Sequence, residues 1–236
     1  FNPVSQMPLV EVVSHDGAEV KTLDRLAAFA EGIDRLPVRV TDYPGFLVNR
    51  ILGPYLMEAM VMLEEVKTKE EIDRAALAFG MPMGPVTLAD QVGLDICLEV
   101  AQSLRENLDR PMAETPGWLS EMVDKGHTGR KSGRGLYDYD KGETPPDAPT
   151  DDPSDSIIDR LILPMCDAGV ECLRKGVAQD ADSVDAAVIF GTGWAPFRGG
   201  PMHYAKVRRD VPRRLEALAA EHGARFAPDP GWASFG

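Results

Sequence analysis

One run constrains this chain more than any other: Phe46 to Leu63, FLVNRILGPYLMEAMVML. Its apolar residues do not keep to one stripe. Phe46, Leu47, Val48, Ile51, Leu52, Tyr55, Leu56, Ala59, Met60 and Leu63 cover most of a helical circumference. A helix that is apolar nearly all round is buried on several sides. Asn49, Arg50 and Glu58 interrupt the run, and it is too short to span a membrane. Pro44-Gly45 signals a turn at its start, and Pro54 is the only strong breaker inside it. The run therefore reads as a central core helix that begins at Pro44 and carries one polar pair, Asn49-Arg50, in its first turns. A buried Asn needs either hydrogen-bond partners or a function. Bonding to a neighbouring loop and a role in chemistry both fit the helix taken alone.

A core helix needs elements to pack on, and 236 residues, 44% hydrophobic and 27% charged, suffice for one large domain or two small ones. The net charge of −13 argues against a nucleic-acid binder, which needs a basic face. It leaves open a phosphate-bearing small ligand held by a few local donors. Cys97, Cys166 and Cys172 lie in helical patterns without C-x-x-C or His-rich metal spacing, so they read as buried, reduced thiols of a cytoplasmic protein, with no metal site. No signal peptide or long apolar run is present. Phe1-Asn2-Pro3, without an initiator Met, reads as a piece cut from something longer.

Met7 to Ser14 predicts a strand bounded by Pro8 and Asp16-Gly17. Glu11 inside it marks either the solvated face or a functional carboxylate. Thr22 to Gly32 predicts a short amphipathic helix capped by Thr22, and Pro37 to Thr41 a second strand. Strand, helix, strand is the grammar of an α/β layer, here too short to make a sheet alone. Helices follow: Lys69 to Phe79 with Thr68 as cap and Glu70, Glu71 in the first turn, then Val86 to Asn107 bending at Gly93, then a short one ending at Lys125. Gly129 to Tyr137, GRKSGRGLY, is a basic glycine-rich loop. Its backbone amides could cradle an anion, and a solvated loop fits equally; it is not a P-loop. Lys141 to Pro153, with four prolines, reads as a linker. Helices resume over Ile157 to Arg174 and Asp182 to Phe190, and after a Gly/Pro/aromatic loop run on to about His222.

The second helical block echoes the first at a spacing of roughly 110 residues, read from order and residue type. Arg50-Ile51-Leu52-Gly53-Pro54 matches Arg160-Leu161-Ile162-Leu163-Pro164, Ile72-Asp73 matches Val184-Asp185, Phe79-Gly80 matches Phe190-Gly191, and Gly84-Pro85 matches Gly200-Pro201. Asp159 stands at the place of Asn49, and no second Gly-Arg-Lys-Ser-Gly loop follows it. The expected architecture is mainly α: two repeated helical units packed as a pair, preceded by a short strand-helix-strand.

Taken together, Phe1-Asn2-Pro3-Val4, Met7 to Val12, Pro44 to Arg50, Pro82-Met83-Gly84-Pro85, Asp90…Gly93-Leu94-Asp95 and Gly129 to Tyr137 resemble the 3-hydroxyacyl-CoA dehydrogenase family. Pro196 to Pro201 and the second helical unit resemble its longer version, the α subunit of the multifunctional fatty-acid β-oxidation enzyme. The resemblance implies that residues 1–43 are the tail of a Rossmann-type NAD-binding domain. It makes 44–140 the first helical substrate and dimerisation domain, 141–154 a linker and 155–236 a second helical repeat. It implies NAD-linked oxidation of a (3S)-3-hydroxyacyl-CoA to the 3-ketoacyl-CoA, with acyl-CoA as substrate and a homodimer or thiolase-containing complex as assembly. In such enzymes a His takes the hydroxyl proton; the family's His-x-Phe-Asn-Pro motif would put it two residues ahead of Phe1. Glu11 matches the carboxylate that holds this His, Asn49 the helix amide that positions the reacting oxygen, and Asn2 and Lys131 residues that touch the cofactor. A carboxylate orients a base, and a neutral amide polarises an oxygen. His15, His127, His203 and His222 match nothing catalytic. No Gly-x-Gly-x-x-Gly occurs, so the chain alone is expected neither to hold NAD tightly nor to turn over. The alternatives are a non-catalytic helical dimerisation or scaffold module of the same fold, and a related dehydrogenase of hydroxyacids or sugar acids. Met57, Met60 and Met62 read as core rather than as an acyl pocket.

Overall fold

The structure, a computed structural model, describes residues 7–65, 67–150 and 152–235. Asn2, expected at the cofactor, lies outside the described residues. Strand β1 (Leu9–Ser14), helix α1 (Val20–Gly32) and strand β2 (Leu36–Thr41) form a parallel pair with its crossover, Leu9 opposite Leu36 and Ser14 opposite Thr41. The rest is helical: α2 (Val48–Glu64), α3 (Lys69–Phe79), α4 (Pro85–Val92), α5 (Leu94–Asn107), α6 (Gly117–Asp124), α7 (Asp155–Arg174), α8 (Ala181–Thr192), α9 (Pro201–Arg208) and α10 (Val211–His222), with short 3-10 turns after α6, α8 and α10. The chain is thus mainly helical. No helix among the described residues is long and apolar enough to cross a membrane.

Helices α2 and α7 pack along each other at the centre. Each contains a proline, Pro54 and Pro164, and each is buried on several sides. Ile51, Tyr55, Met60 and Met62 of α2 and Leu161, Ile162, Leu163 and Met165 of α7 are all but inaccessible. Truncating one such side chain to Ala costs about 2–5 kcal/mol. Met57, Met60 and Met62 are buried, as core residues should be. Phe79, Trp194 and Tyr204 meet edge to face beside this pair, Phe79 and Trp194 at 5.1 Å. The strand pair joins the helical body through the end of β2, where the Thr41 amide donates to the Val177 carbonyl at 2.9 Å.

Three expectations shift. Helix α2 begins at Val48, not Pro44: residues 44–47 form turns in which Phe46 adopts φ 52°. Helix α1 starts at Val20 after Glu19, two residues ahead of Thr22, which therefore caps nothing. The single helix expected from Val86 to Asn107 is two, because Gly93 at φ 114° and ψ 129° breaks it. By contrast α3 has the expected bounds. Thr68 accepts from the Glu71 amide at 3.1 Å while Glu71 accepts from the Thr68 amide at 2.9 Å, a reciprocal capping box.

Two carboxylates set the angles of the following helices. Asp73, on α3, accepts from the amides of Val86 (2.8 Å) and Thr87 (3.1 Å), from the Thr87 hydroxyl (2.5 Å) and from the Tyr137 hydroxyl (3.0 Å). Asp185, on α8, accepts from the amides of Met202 (2.6 Å) and His203 (2.9 Å). Each closes the start of a helix whose own cap residue, Gly84 or Gly200, has no side chain to do so. A Cβ on Gly84 would collide with Asp73, and one on Gly200 with Asp185, so glycine is what lets each carboxylate reach the amides.

Candidate active site

The candidate site forms at the start of α2. Leu47 precedes the helix and has no side chain able to cap it. The cap comes instead from β1: Glu11 Oε1 accepts from the amides of Leu47 at 2.9 Å and Val48 at 3.1 Å. A carboxylate here satisfies two orphan amides and meets the positive end of the helix dipole. Burial nevertheless holds the Glu11 carboxyl above its ordinary pKa, outweighing the two amide bonds that favour the charged form. Glu11 is thereby fixed one residue from Asn49.

Asn49 is exposed, not buried as the all-round apolar run suggested. No hydrogen bond engages its amide among the described residues. It faces an open cavity of about 550 Å³ whose other walls are apolar, Leu52 and Leu56 from α2, Val92 from α4, and Ile96, Cys97 and Val100 from α5. Met57 also touches this cavity. None of the four histidines lines it. Among the described residues no cluster of His, Cys, Asp and Glu side chains could hold a metal ion.

The end of the glycine-rich loop is closed from within the chain. Two of its amides close on a carboxylate of the chain itself: Asp90, on α4, accepts from Leu136 and Tyr137, each at 2.8 Å. Ser132 Oγ knits the loop: its single proton lies within reach of the carbonyls of Gly129 (2.9 Å) and Arg134 (2.8 Å), and it accepts from the Thr128 amide (3.0 Å). Lys131, in the turn Arg130–Ser132, donates to both oxygens of Asp95 at 2.8 and 2.7 Å, and this partner lowers the Asp95 pKa. Asp90 thus holds the end of the loop, and Asp95 engages Lys131 at the surface. Asp73, Asp90 and Asp185 were not singled out as site-forming residues from sequence. The available signal was an acid on an otherwise apolar helix face, followed 11 to 15 residues later by Gly-Pro for Asp73 and Asp185.

The comparisons with known proteins bear on this geometry. Residues 45–139 match the C-terminal domain of 3-hydroxyacyl-CoA dehydrogenase, and residues 1–43 match the NAD-binding domain of the same family; the two matches cover more than half the chain. The chain belongs to the 3-hydroxyacyl-CoA dehydrogenase family. Among curated relatives, the fatty acid oxidation complex subunit alpha of Idiomarina loihiensis is 36% identical over 98% of this chain and 34% of its own length. The chain thus spans about a third of the length of the curated relatives it matches. The (S)-3-hydroxybutyryl-CoA dehydrogenase of Ralstonia eutropha is 39% identical with a TM-score of 0.54, over 58% of this chain and 49% of that one. The 3-hydroxybutyryl-CoA dehydrogenase of Escherichia coli K12 covers 99% of this chain and 68% of its own at a TM-score of 0.86. At 24% identity this last likeness speaks for the fold, and it extends the family's fold across both helical blocks.

Proposed function

We propose that the chain is the helical half of an NAD-dependent (3S)-3-hydroxyacyl-CoA dehydrogenase of fatty-acid β-oxidation, working in the cytoplasm. In this reading residues 1–43 are the tail of the NAD-binding domain, and 44–140 and 155–236 are two related helical units joined by 141–154. The intact protein assembles as a homodimer or within a thiolase-containing complex, in keeping with relatives that are subunits of a fatty acid oxidation complex. The observation that carries the reading is the convergence at α2: Glu11 seated on the helix start, one residue from an unpartnered Asn49 amide at an apolar cavity.

Each group has a distinct task. Glu11, fixed by two amides, orients the imidazole that the family motif places ahead of Phe1 and stabilises it when it takes the hydroxyl proton. The Asn49 amide donates to the reacting oxygen of the substrate, and the apolar cavity receives the acyl chain. NAD, bound by the intact protein, supplies the hydride acceptor. In this assignment Lys131 meets the cofactor only by leaving Asp95, and Asn2 is the second residue that touches it.

By itself the 236-residue chain is inactive in this reading. Among the described residues its parallel sheet has two strands, the sequence contains no glycine fingerprint, and α1 and its C-cap leave Val20, Phe29 and Ile33 at least half exposed, an apolar surface suited to cover by the rest of a cofactor domain. The test compares the chain with the full-length enzyme, using acetoacetyl-CoA and NADH. The isolated chain should show no turnover. In the full-length enzyme Asn49→Ala should lower kcat by about 10²–10³-fold with the melting temperature unchanged. Wild-type turnover in Asn49→Ala would strike Asn49 from the catalytic assignment, and absence of turnover in the full-length protein itself would leave the scaffold reading.

A further inference from the structure

The turn that leads into α2 is held from the far half of the chain. It contains Gly45 at φ 77° and Phe46 at φ 52°. A phenylalanine in the left-handed region is strained and persists only where its surroundings fix it. Glu11 secures the strand side of the turn through the Leu47 and Val48 amides. On the other side the ties run to the helical block 155–236. Thr41, at the entry to the turn, donates its amide to the Val177 carbonyl and its hydroxyl to the Gly176 carbonyl, both at 2.9 Å. The Tyr43 hydroxyl donates to Glu171 Oε1 at 3.0 Å. Arg50, one residue past Asn49, donates from Nη2 to Glu171 Oε2. Gly191 of α8 presses on the same place: a Cβ there would stand 2.9 Å from Leu9 and 3.0 Å from Val48.

Glu171 is the centre of this set. It is buried on α7, and its two oxygens take the two ends of one short segment. Tyr43 stands ahead of the left-handed turn and Arg50 in the first turn of α2. Arg110 donates to the same oxygen as Arg50, at 3.1 Å, and fixes the carboxylate in its turn. A buried carboxylate that accepts from three donors makes a rigid strut. Asn49 lies between the two clamped residues, exposed and without a hydrogen-bond partner of its own among the described residues. The direction of its amide is therefore set by the backbone that Glu171 holds at both ends.

We propose that Glu171 is a positioning residue for Asn49: through Tyr43 and Arg50 it fixes the turn and the first helical residues that aim the Asn49 amide into the apolar cavity. The proposal rests on the dehydrogenase reading of Asn49 given above. It gives the block 155–236, which carries Asp159 in place of Asn49, a part in the chemistry of the first block.

A double-mutant cycle in the full-length enzyme, with acetoacetyl-CoA and NADH, tests it. Glu171→Ala would strip Arg50 and Arg110 of a shared buried carboxylate, so the cycle uses Tyr43→Phe, which removes one hydrogen bond and leaves both ion pairs in place. Tyr43→Phe should lower kcat by about three- to tenfold with KM for acetoacetyl-CoA unchanged. In the Asn49→Ala background the same change should lower kcat no further, because the group through which it acts is gone. A merely structural Tyr43 would instead multiply its loss onto that of Asn49→Ala. Wild-type kcat in Tyr43→Phe overturns the proposal, as does a multiplicative loss. Wild-type kcat in Asn49→Ala strikes the catalytic assignment of Asn49 and this proposal with it, whereas a slowed Asn49→Ala beside an unaltered Tyr43→Phe strikes this proposal alone.

Discussion

Asn49-Arg50 and Asp159-Arg160 each precede a proline by the same number of residues, in the two helices that cross at the centre of the molecule. Their surroundings could hardly differ more. Asp159 is buried and paired with Arg208 at 2.6 Å and Arg214 at 3.1 Å. Arg160 donates from all three guanidinium nitrogens, two to Glu58 and one to Glu65 at 2.5 Å. Asn49 has no partner among the described residues, and Arg50 leaves two nitrogens empty. One dipeptide is closed upon the protein. The buried Asp159-Arg160 pair is satisfied by the protein itself, whereas Asn49 is left to solvent and Arg50 is only partly paired.

The sharpest way to break this comparison is to remove both arginines in turn. Arg160→Met should destabilise by about 3–5 kcal/mol, since it strips a buried network of three bonds. Arg50→Met should cost only about 1–2 kcal/mol, because it removes two unsatisfied donors along with one bond. Equal losses in urea unfolding would erase the distinction. Next in size are the two carboxylate caps. Asp73→Ala, losing four bonds, should cost about 2 kcal/mol and Asp185→Ala, losing two, about 1 kcal/mol, measured by thermal unfolding. Asn49→Ala should change stability by less than about 0.5 kcal/mol, as befits an exposed side chain without partners.

Asp185 and the Lys131 partner Asp95 respond to acid in opposite senses. Burial pushes the Asp185 carboxyl up to about 6, outweighing its bonds from Met202 and His203. The folded state then holds a proton that the unfolded chain releases, so this group's contribution to stability falls as pH rises from the ordinary carboxylate value of 3.8 to about 6. Asp95 has the opposite sign: Lys131 lowers its pKa, so its contribution is present above the ordinary value and is lost on acidification. A carboxyl NMR titration should find Asp185 near 6 with Asp95 below its ordinary range. Asp185→Asn should flatten the pH dependence of stability across that window.

What could be read from the chain beforehand follows from how local each signal is. Helix α3 was legible to the residue because Thr68 and Glu71 cap it within four positions. The strand pair was legible from its β-branched alternation. The start of α2 was not, since the residue that closes it, Glu11, lies 36 positions earlier. The exposure of Asn49 was hidden for a related reason: its neighbours are core, and only the gap between α2 and α5 leaves it open. That two amides at the end of the glycine-rich loop close on Asp90 was not legible, because Asp90 lies 46 residues away from Leu136.

The three cysteines carry a practical consequence. Cys97, Cys166 and Cys172 are buried, and desolvation raises all three thiols, Cys97 and Cys172 to about 12. The thiolate is the species that alkylating reagents attack. Native protein should therefore be silent towards maleimides, and a single cysteine introduced at an exposed position such as Phe197 or Val207 could carry a fluorophore without first removing the natural three.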